Sequence, residues 1–512
     1  MLIADVDFRK AFNFVNHSIL FCKLIKSGFV GRAINLLRDM YSKIKARIKV
    51  GNRLFQWIYD ECGTNQGGPM SPTMFRKMLH DLRTFLTVHC GIVLNDEEIL
   101  VHILWADDLI LMSDSAKGLQ NQLDGLFKFC SQYQLIVNSL KTKVMIFGKT
   151  NEQSFTFNGS NLEICNQYKY LGVVFNSISR RDGNPFREMV KYTADKALKA
   201  CFVALNKCKS LGDVTPKISL QMFDSFVLPV LEYGCEIWAD GKQKQALESI
   251  QLKYLKRMLR VKDSTCTVAV YAETGRSPLW IRQKVRVVKY WLRLAQLNDC
   301  KLIKQAYLAM KNLDDIGYVT WLGNVRSILQ KCNLEQYYVD VDSLTKEDVS
   351  ECINQLKLCL YSRFEEDCID DLRKMPVLRT YVKYKTDFRL ENYLLLIRDK
   401  KLRNCLSRLR LSSHELAIEK GRHTKPKTNI QDRLCIFCRA SVIEDEIHMI
   451  VKCDFYKKER EMLYSKISDI VLLTHVDDDE DFAKIMSCKD TMVLFSLAKF
   501  VSKCFKKRKL AG

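Results

Sequence analysis

The residue pattern predicts an α+β chain, and three observations predict it. Ile103-Leu104-Trp105-Ala106-Asp107-Asp108-Leu109-Ile110-Leu111-Met112 sets two adjacent carboxylates between two short apolar runs, which reads as a β-hairpin with an Asp-Asp pair at its turn. Up to about residue 178 strand-like and helix-like stretches interleave, whereas beyond Pro185 the pattern is helical and basic. Near the C-terminus, Cys435-Ile436-Phe437-Cys438 with His448 and Cys453 marks off a small module of its own.

Composition limits the possible partners. The 512 residues hold 81 Lys and Arg against 59 Asp and Glu, a net charge of +22, in a chain that is 47% hydrophobic. Such a folded, basic chain is expected to meet a polyanion, nucleic acid before an anionic membrane. No apolar run approaches the ~18 residues of a membrane span, and Met1 opens into a strand-like run and not a signal peptide. An intracellular protein, nuclear and cytoplasmic, with no membrane partner is expected. Its 20 cysteines are then mostly reduced, packed thiols.

The elements follow in order. Met1–Phe8 reads as a strand with Asp5 and Asp7 on one face, Asp5 as a solvent-facing neighbour. Arg9–Lys26 carries apolar residues at helical spacing and Gly28 follows its end. A strand end followed at once by a helix would leave backbone N–H groups beside the carboxylate, where metal and phosphate could meet. Met40–Tyr59 reads as a β-ribbon turning at Gly51-Asn52. The glycine-rich loop from Gly63 through Gln66, Gly67 and Gly68 runs into a helix at Ser71-Pro72.

Ser115–Tyr133 reads as an amphipathic helix and Val144–Phe147 as a strand. Phe155–Val174 adds two or three strands ending in Tyr168-Lys169-Tyr170-Leu171-Gly172. Helices are predicted around Phe186–Lys209, Ile218–Glu232, Lys244–Leu259 and Ile281–Leu297, and helical pattern continues to residue 420. Gly421–Lys427 reads as a basic linker, and Lys506-Lys507-Arg508-Lys509 as a disordered basic end that could touch nucleic acid. The spacing of Cys435, Cys438, His448 and Cys453 suits one tetrahedral Zn2+ in a Cys3His site.

Asp7 at a strand end, Phe12 behind it, Gln66-Gly67 with Ser71-Pro72, the Asp107-Asp108 hairpin, Asn138 with Lys141-Thr142-Lys143, and Tyr170-Leu171-Gly172 occur in one order. That order resembles the reverse transcriptase of non-long-terminal-repeat, LINE-like retrotransposons. Residues 1 to about 240 carry the resemblance, and Arg410-Leu411-Ser412-Ser413-His414 with Ile418–Arg422 and the Cys/His cluster extend it. It implies a right-hand polymerase palm over 1–178, a helical thumb over 179–300, a helical connection over 301–420, a zinc-binding module over 421–470 and a helical basic tail over 471–512.

The resemblance further implies RNA-directed DNA synthesis on an RNA template, from a DNA primer at a nicked target, using deoxynucleoside triphosphates and two Mg2+ or Mn2+ ions. Asp7, Asp107 and Asp108 would be the catalytic metal ligands. Lys10, Ala11, Phe12, Gln66, Gly67 and Lys141 would form the nucleotide site, with Phe12 excluding a 2′-hydroxyl, and Tyr170, Leu171 and Gly172 the primer grip. Three departures stand out: Trp105 replaces the usual Tyr or Phe, Asn13 replaces a common Asp, and the chain opens at the first catalytic strand, so that the fingers region is expected to be missing. A nucleic-acid-binding remnant without turnover is the alternative reading.

Overall fold

The sheet that positions the carboxylates comprises β1 (Leu2–Val6), β2 (His102–Trp105), β3 (Asp108–Ser113), β4 (Lys143–Ile146) and β5 (Glu163–Ile164). Their spatial order is β5-β4-β1-β3-β2, with only the β4–β5 pair parallel. Alternation along β1 sends Leu2, Ala4 and Val6 to one face, where they join Leu109, Leu111 and Val144 in the core. The helix Ala116–Tyr133 closes that face with Leu119, Leu123, Leu126 and Phe129. Burying each such side chain is worth about 1.5–3 kcal/mol. Asp5 and Asp7 consequently fall on the opposite face.

This computed structural model describes residues 1–42, 45–59, 62–64, 68–148, 154–177, 185–212, 214–239, 244–438 and 440–511, so Gln66 and Gly67 lie outside the described residues. The chain forms two compact units. One is Met1–Met189 with Leu297–Tyr318, the other Val190–Gln296 with Val319–Gly512.

The N-terminal unit departs from the expected pattern in two places. The helix predicted from Arg9 begins only at His17, capped by Asn16, whose side chain accepts from the N–H groups of Ser18 and Ile19. Residues 9–14 are turns instead, because Lys10 is left-handed (φ 48°) and the carbonyls of Phe12 and Val15 are taken by the N–H groups of Thr64 and Gly63. The helix N-terminus expected beside Asp7 therefore falls at His17 instead. The β-ribbon begins later than Met40, since the helix Arg32–Ser42 buries Tyr41 against His17 and Phe21. Lys49–Val50 then pairs with Arg53–Leu54 around Gly51-Asn52 as expected.

The second unit is helical. The predicted Ile218–Glu232 helix runs without interruption as Pro216–Met222, a π-turn Phe223–Val227 and Leu228–Leu231, the π-turn preceding Pro229, a residue without an N–H. Residues 421–427 are no free linker. Gly421 packs so tightly that a Cβ would meet the Arg433 side chain at 2.8 Å, and Arg422 donates to the Pro376 carbonyl at 3.0 Å. The expected disordered end is likewise helical, within Thr491–Ala511, because Lys507 pairs with Glu459 at 3.0 Å and Arg508 with buried Glu444. No described helix is long and apolar enough to cross a membrane.

Arg410 anchors the centre of this unit. It is 3% exposed, meets Glu273 at 2.6 Å and Glu391 at 2.9 Å, and donates to the Met486 carbonyl at 3.0 Å, while Tyr381 donates to Glu273 at 2.9 Å. The motif segment around it is structural too: His414 meets Glu446 at 2.8 Å and Ser412 donates to the Val377 carbonyl at 2.8 Å. Arg410→Met would leave Glu273 buried and unpaired, with an expected loss of about 3–5 kcal/mol. Chemical denaturation of the full chain measures it, and a loss below about 1 kcal/mol would mean the network relaxes without its cation.

Candidate active site and metal centre

On the open face of the sheet the register assembles the acidic residues. Trp105 pairs with Asp108 across the β2–β3 hairpin, leaving Ala106 and Asp107 as its turn, with Ala106 left-handed at φ 55°. Val6 pairs with Leu109, so one step on, Asp7 comes level with Asp108. The backbone of Asp7 is fixed on both sides: its N–H donates to Thr142 Oγ1 at 3.2 Å and its carbonyl accepts from Asn138 N–H at 2.7 Å. The same turn carries Lys141, whose N–H bonds the Asn138 carbonyl at 3.1 Å while its side chain is exposed.

A second hairpin covers this face. β6 (Gln167–Tyr170) and β7 (Val173–Asn176) are joined by Leu171 and Gly172, both at positive φ (46° and 81°), the conformation that matches a two-residue hairpin to strand twist. Tyr168 and Tyr170 share one face of β6. The Tyr168 hydroxyl donates to Asp5, which is 6% exposed and so not the solvent-facing neighbour expected. The Tyr170 hydroxyl is buried with no hydrogen-bond partner among the described residues, and burial, then the charges of Asp108 and Asp5, push its pKa up to about 12.

Burial and mutual repulsion dominate the electrostatics of this face. Burial first, and then Asp108 and Asp7, raise Asp5 to about 6 from 3.8 despite its Tyr168 bond. Burial, Asp107 and Asp7 raise Asp108 as well. None of Asp5, Asp7, Asp107 and Asp108 forms an ion pair among the described residues. Hard oxygen donors that repel one another with no cation between them fit divalent Mg2+ or Mn2+.

Asp5 and Tyr168 escaped the sequence reading. The period of two already put Asp5 beside Asp7, but the strand that buries it comes from far along the chain. In the folded state Asp5 keeps a proton between about pH 4 and 6 that the unfolded chain has lost, so its contribution to stability declines as pH rises through about 6. Asp5→Asn is expected to stabilise metal-free protein at neutral pH by about 1–3 kcal/mol and to give no gain below about pH 4. Thermal melts with chelator at both pH values test this; a difference independent of pH would contradict it.

Around these carboxylates, Ala11 is buried, Lys10 is exposed, and Phe12 is half-buried against Phe75 at a ring separation of 5.2 Å. Gly63 holds the start of the glycine-rich loop on this segment, where a Cβ would stand 2.9 Å from the Asn13 carbonyl oxygen.

The second cluster lies in the other unit. Cys435, Cys438, His448 and Cys453 bring one ligand atom each within 4.8 Å of one another. Cys435 and Cys453 sulfurs are 3.8 Å apart, and Cys438 Sγ lies 3.3 Å from His448 Nε2. A bridge between Leu434 and Ile443 and the bond from Cys435 N–H to the Val442 carbonyl shape the first loop. The π-turn His448–Lys452 presents the histidine, and Cys453 follows it. Burial, then Cys435, push the Cys453 thiol up to about 12. Four soft donors crowded at this range fit one Zn2+.

Residues 1–175 match the family model for reverse transcriptase (RNA-dependent DNA polymerase). Over 194 residues the chain is 27% identical to the retrovirus-related Pol polyprotein from type-1 retrotransposable element R2 of Nasonia vitripennis, covering 35% of this chain and 18% of that protein. It is 27% identical over 190 residues to the corresponding R2 polyprotein of Popillia japonica, covering 34% and 31%. With that of Bradysia coprophila it shares 24% over 320 residues, covering 58% of this chain and 34% of the relative. The chain thus spans between 18% and 34% of the length of these relatives. Telomerase from Candida albicans in complex with the TWJ fragment of telomeric RNA superposes with a TM-score of 0.28 at 16% identity, over 75% of this chain and 49% of that one.

The N-terminal unit therefore carries a reverse transcriptase domain, and its α+β sheet is the palm of that domain. The relatives that this region resembles are Pol polyproteins of R2 retrotransposable elements.

Proposed function

We propose that this chain is an RNA-directed DNA polymerase that extends a DNA primer at a nicked target on an RNA template. The observation that carries the proposal is the group of aspartates, without an ion pair among the described residues, gathered at one end of the sheet in the region that matches a reverse transcriptase. Asp7, Asp107 and Asp108 would hold two Mg2+ or Mn2+ ions. When bound, such a pair activates the primer 3′-hydroxyl and neutralises charge on the triphosphate and departing pyrophosphate.

The residues around the carboxylates have distinct tasks in this reading. Backbone groups at Lys10 and Ala11 would receive the triphosphate oxygens, and Lys141 would add positive charge from its exposed turn. Phe12, braced by Phe75, would lie against the sugar and leave no room for a 2′-hydroxyl. Gln66 and Gly67 would complete the nucleotide pocket. The rigid hairpin tip Tyr170-Leu171-Gly172 would support the primer backbone. Cys435, Cys438, His448 and Cys453 would close around one structural Zn2+, since four protein ligands leave no open position. The helical regions 179–300 and 301–420 would serve as thumb and connection, and 471–512 as a basic tail.

Primer extension by the full chain on an RNA template, with deoxynucleotides and Mg2+ or Mn2+, tests the proposal against an Asp107→Asn control. Extension confined to the unsubstituted protein supports it. Tight primer–template binding without extension would assign the chain to nucleic-acid binding without turnover.

A further inference from the structure

We infer that the second unit contains a pocket for an unpaired nucleotide of a single-stranded nucleic acid. A cavity of about 650 Å3 opens beside the Cys/His cluster, where Arg260 beyond the helix Lys244–Leu259, the helix Lys400–Arg410, the Cys435–Cys438 loop and the helix Thr491–Ala511 meet. That volume lies in the ~300–1,000 Å3 range of small-ligand sites.

Its interior is aromatic. Phe437 and Phe505 line it, with buried His414 6.4 Å from the Phe505 ring and the Arg508 guanidinium 4.7 Å above the Phe437 ring. Phe437 is further fixed by stacking on Phe455 at 4.8 Å. Arg508 already pairs with Glu444, and Lys262 with Glu415 at 2.7 Å.

The rim is cationic in a different way. Arg260, Arg408, Lys420 and Lys509 are exposed, line the same cavity and form no ion pair among the described residues. Arg408 is held across the opening by its Nε–H bond to the Arg260 carbonyl at 3.0 Å. The Phe505 ring, the Arg508 guanidinium plane that covers Phe437, and the unpaired cations of the same lining suit one ligand chemistry, a flat ring attached to phosphates. A base would enter beside Phe437 and Phe505 while adjacent phosphates meet the rim. A duplex keeps its bases stacked and cannot deliver one. An acidic peptide would use the rim but not the aromatic interior. The inference stands independently of polymerase activity, since none of these residues belongs to the reverse transcriptase domain.

The test uses the full chain with RNA and DNA decamers carrying 5-iodouridine. Photocrosslinks are expected on the segment 436–438 or on Phe505. The variant Arg260→Gln with Lys420→Gln and Lys509→Gln should bind the decamers about tenfold more weakly, and its log–log salt slope should be shallower by about two. Phe505→Leu should weaken decamer binding while poly-glutamate binding is unchanged, and a cooperative thermal melt with a midpoint equal to that of the unsubstituted protein shows that both variants are folded. Tighter binding of RNA than of DNA would name RNA as the source, and equal binding would name single strands of both kinds. Crosslinks confined to other segments, unchanged affinity in both variants, or poly-glutamate competing as well as the decamers would overturn the inference.

Discussion

Asp107→Asn is expected to reduce primer extension about a thousandfold or more, because the proposed ligation of metal by this carboxylate would supply several kcal/mol of charge stabilisation and each 1.36 kcal/mol is a factor of ten. Stability should move the other way. Asp107 contributes to raising the Asp108 carboxyl, so its removal relieves repulsion in the metal-free fold. A variant that melts no lower than the unsubstituted protein yet fails to extend would separate a lost ligand from a lost fold. The added Mg2+ or Mn2+ should also raise the melting temperature of the unsubstituted chain more than that of the variant, since a ligand that binds only the folded state stabilises it. Extension within about tenfold of normal in Asp107→Asn would remove this residue from the catalytic set.

The second large effect concerns the Cys/His cluster. Cys435→Ser with Cys438→Ser is expected to abolish roughly one bound Zn2+ per chain, measured by elemental analysis of the purified protein. Apparent binding energies of structural zinc are about 10–16 kcal/mol at neutral pH, so the loops around the cluster should lose their order with the metal. Strong chelators should reproduce the variant's lowered melting temperature in the unsubstituted protein. Because thiol ligands bind as thiolates, zinc retention should fall as pH drops, with proton uptake at sulfur and at His448. Unchanged zinc content in the double variant would refute the site.

How much of this was legible in the sequence depends on the range of the interactions. The Asp107-Asp108 hairpin, the helix read from Ser115 to Tyr133 and the cysteine spacing are local patterns, and they fold as read but for Ser115, which caps the helix. The turn at residues 9–14 was misread as helix because what holds it is Gly63-Thr64, some fifty residues away, and local spacing carries no trace of that partner. Asp5 is the clearest case. Its side of the strand was correct, but its burial depends on Tyr168, which the sequence presented only as part of a strand. The basic end was misjudged for a related reason: Lys507 and Arg508 look like solvated charge until Glu459 and Glu444 are placed beside them. The cavity below them was not legible at all, since four separate segments contribute to it.

β1 alternates between a face built for packing and a face built of carboxylates, and this constrains how the gene can change. Inserting or deleting a single codon within Leu2–Val6 would invert the strand, driving Asp5 under the helix Ala116–Tyr133 and sending Ala4 and Val6 to the acidic side. Unless the added residue is taken up as a bulge, the pairing with β3 and β4 moves both faces together. Copies of such a gene that drift by substitution can therefore lose the carboxylates one at a time and still fold, whereas copies that drift by length in this segment lose fold and site in the same event.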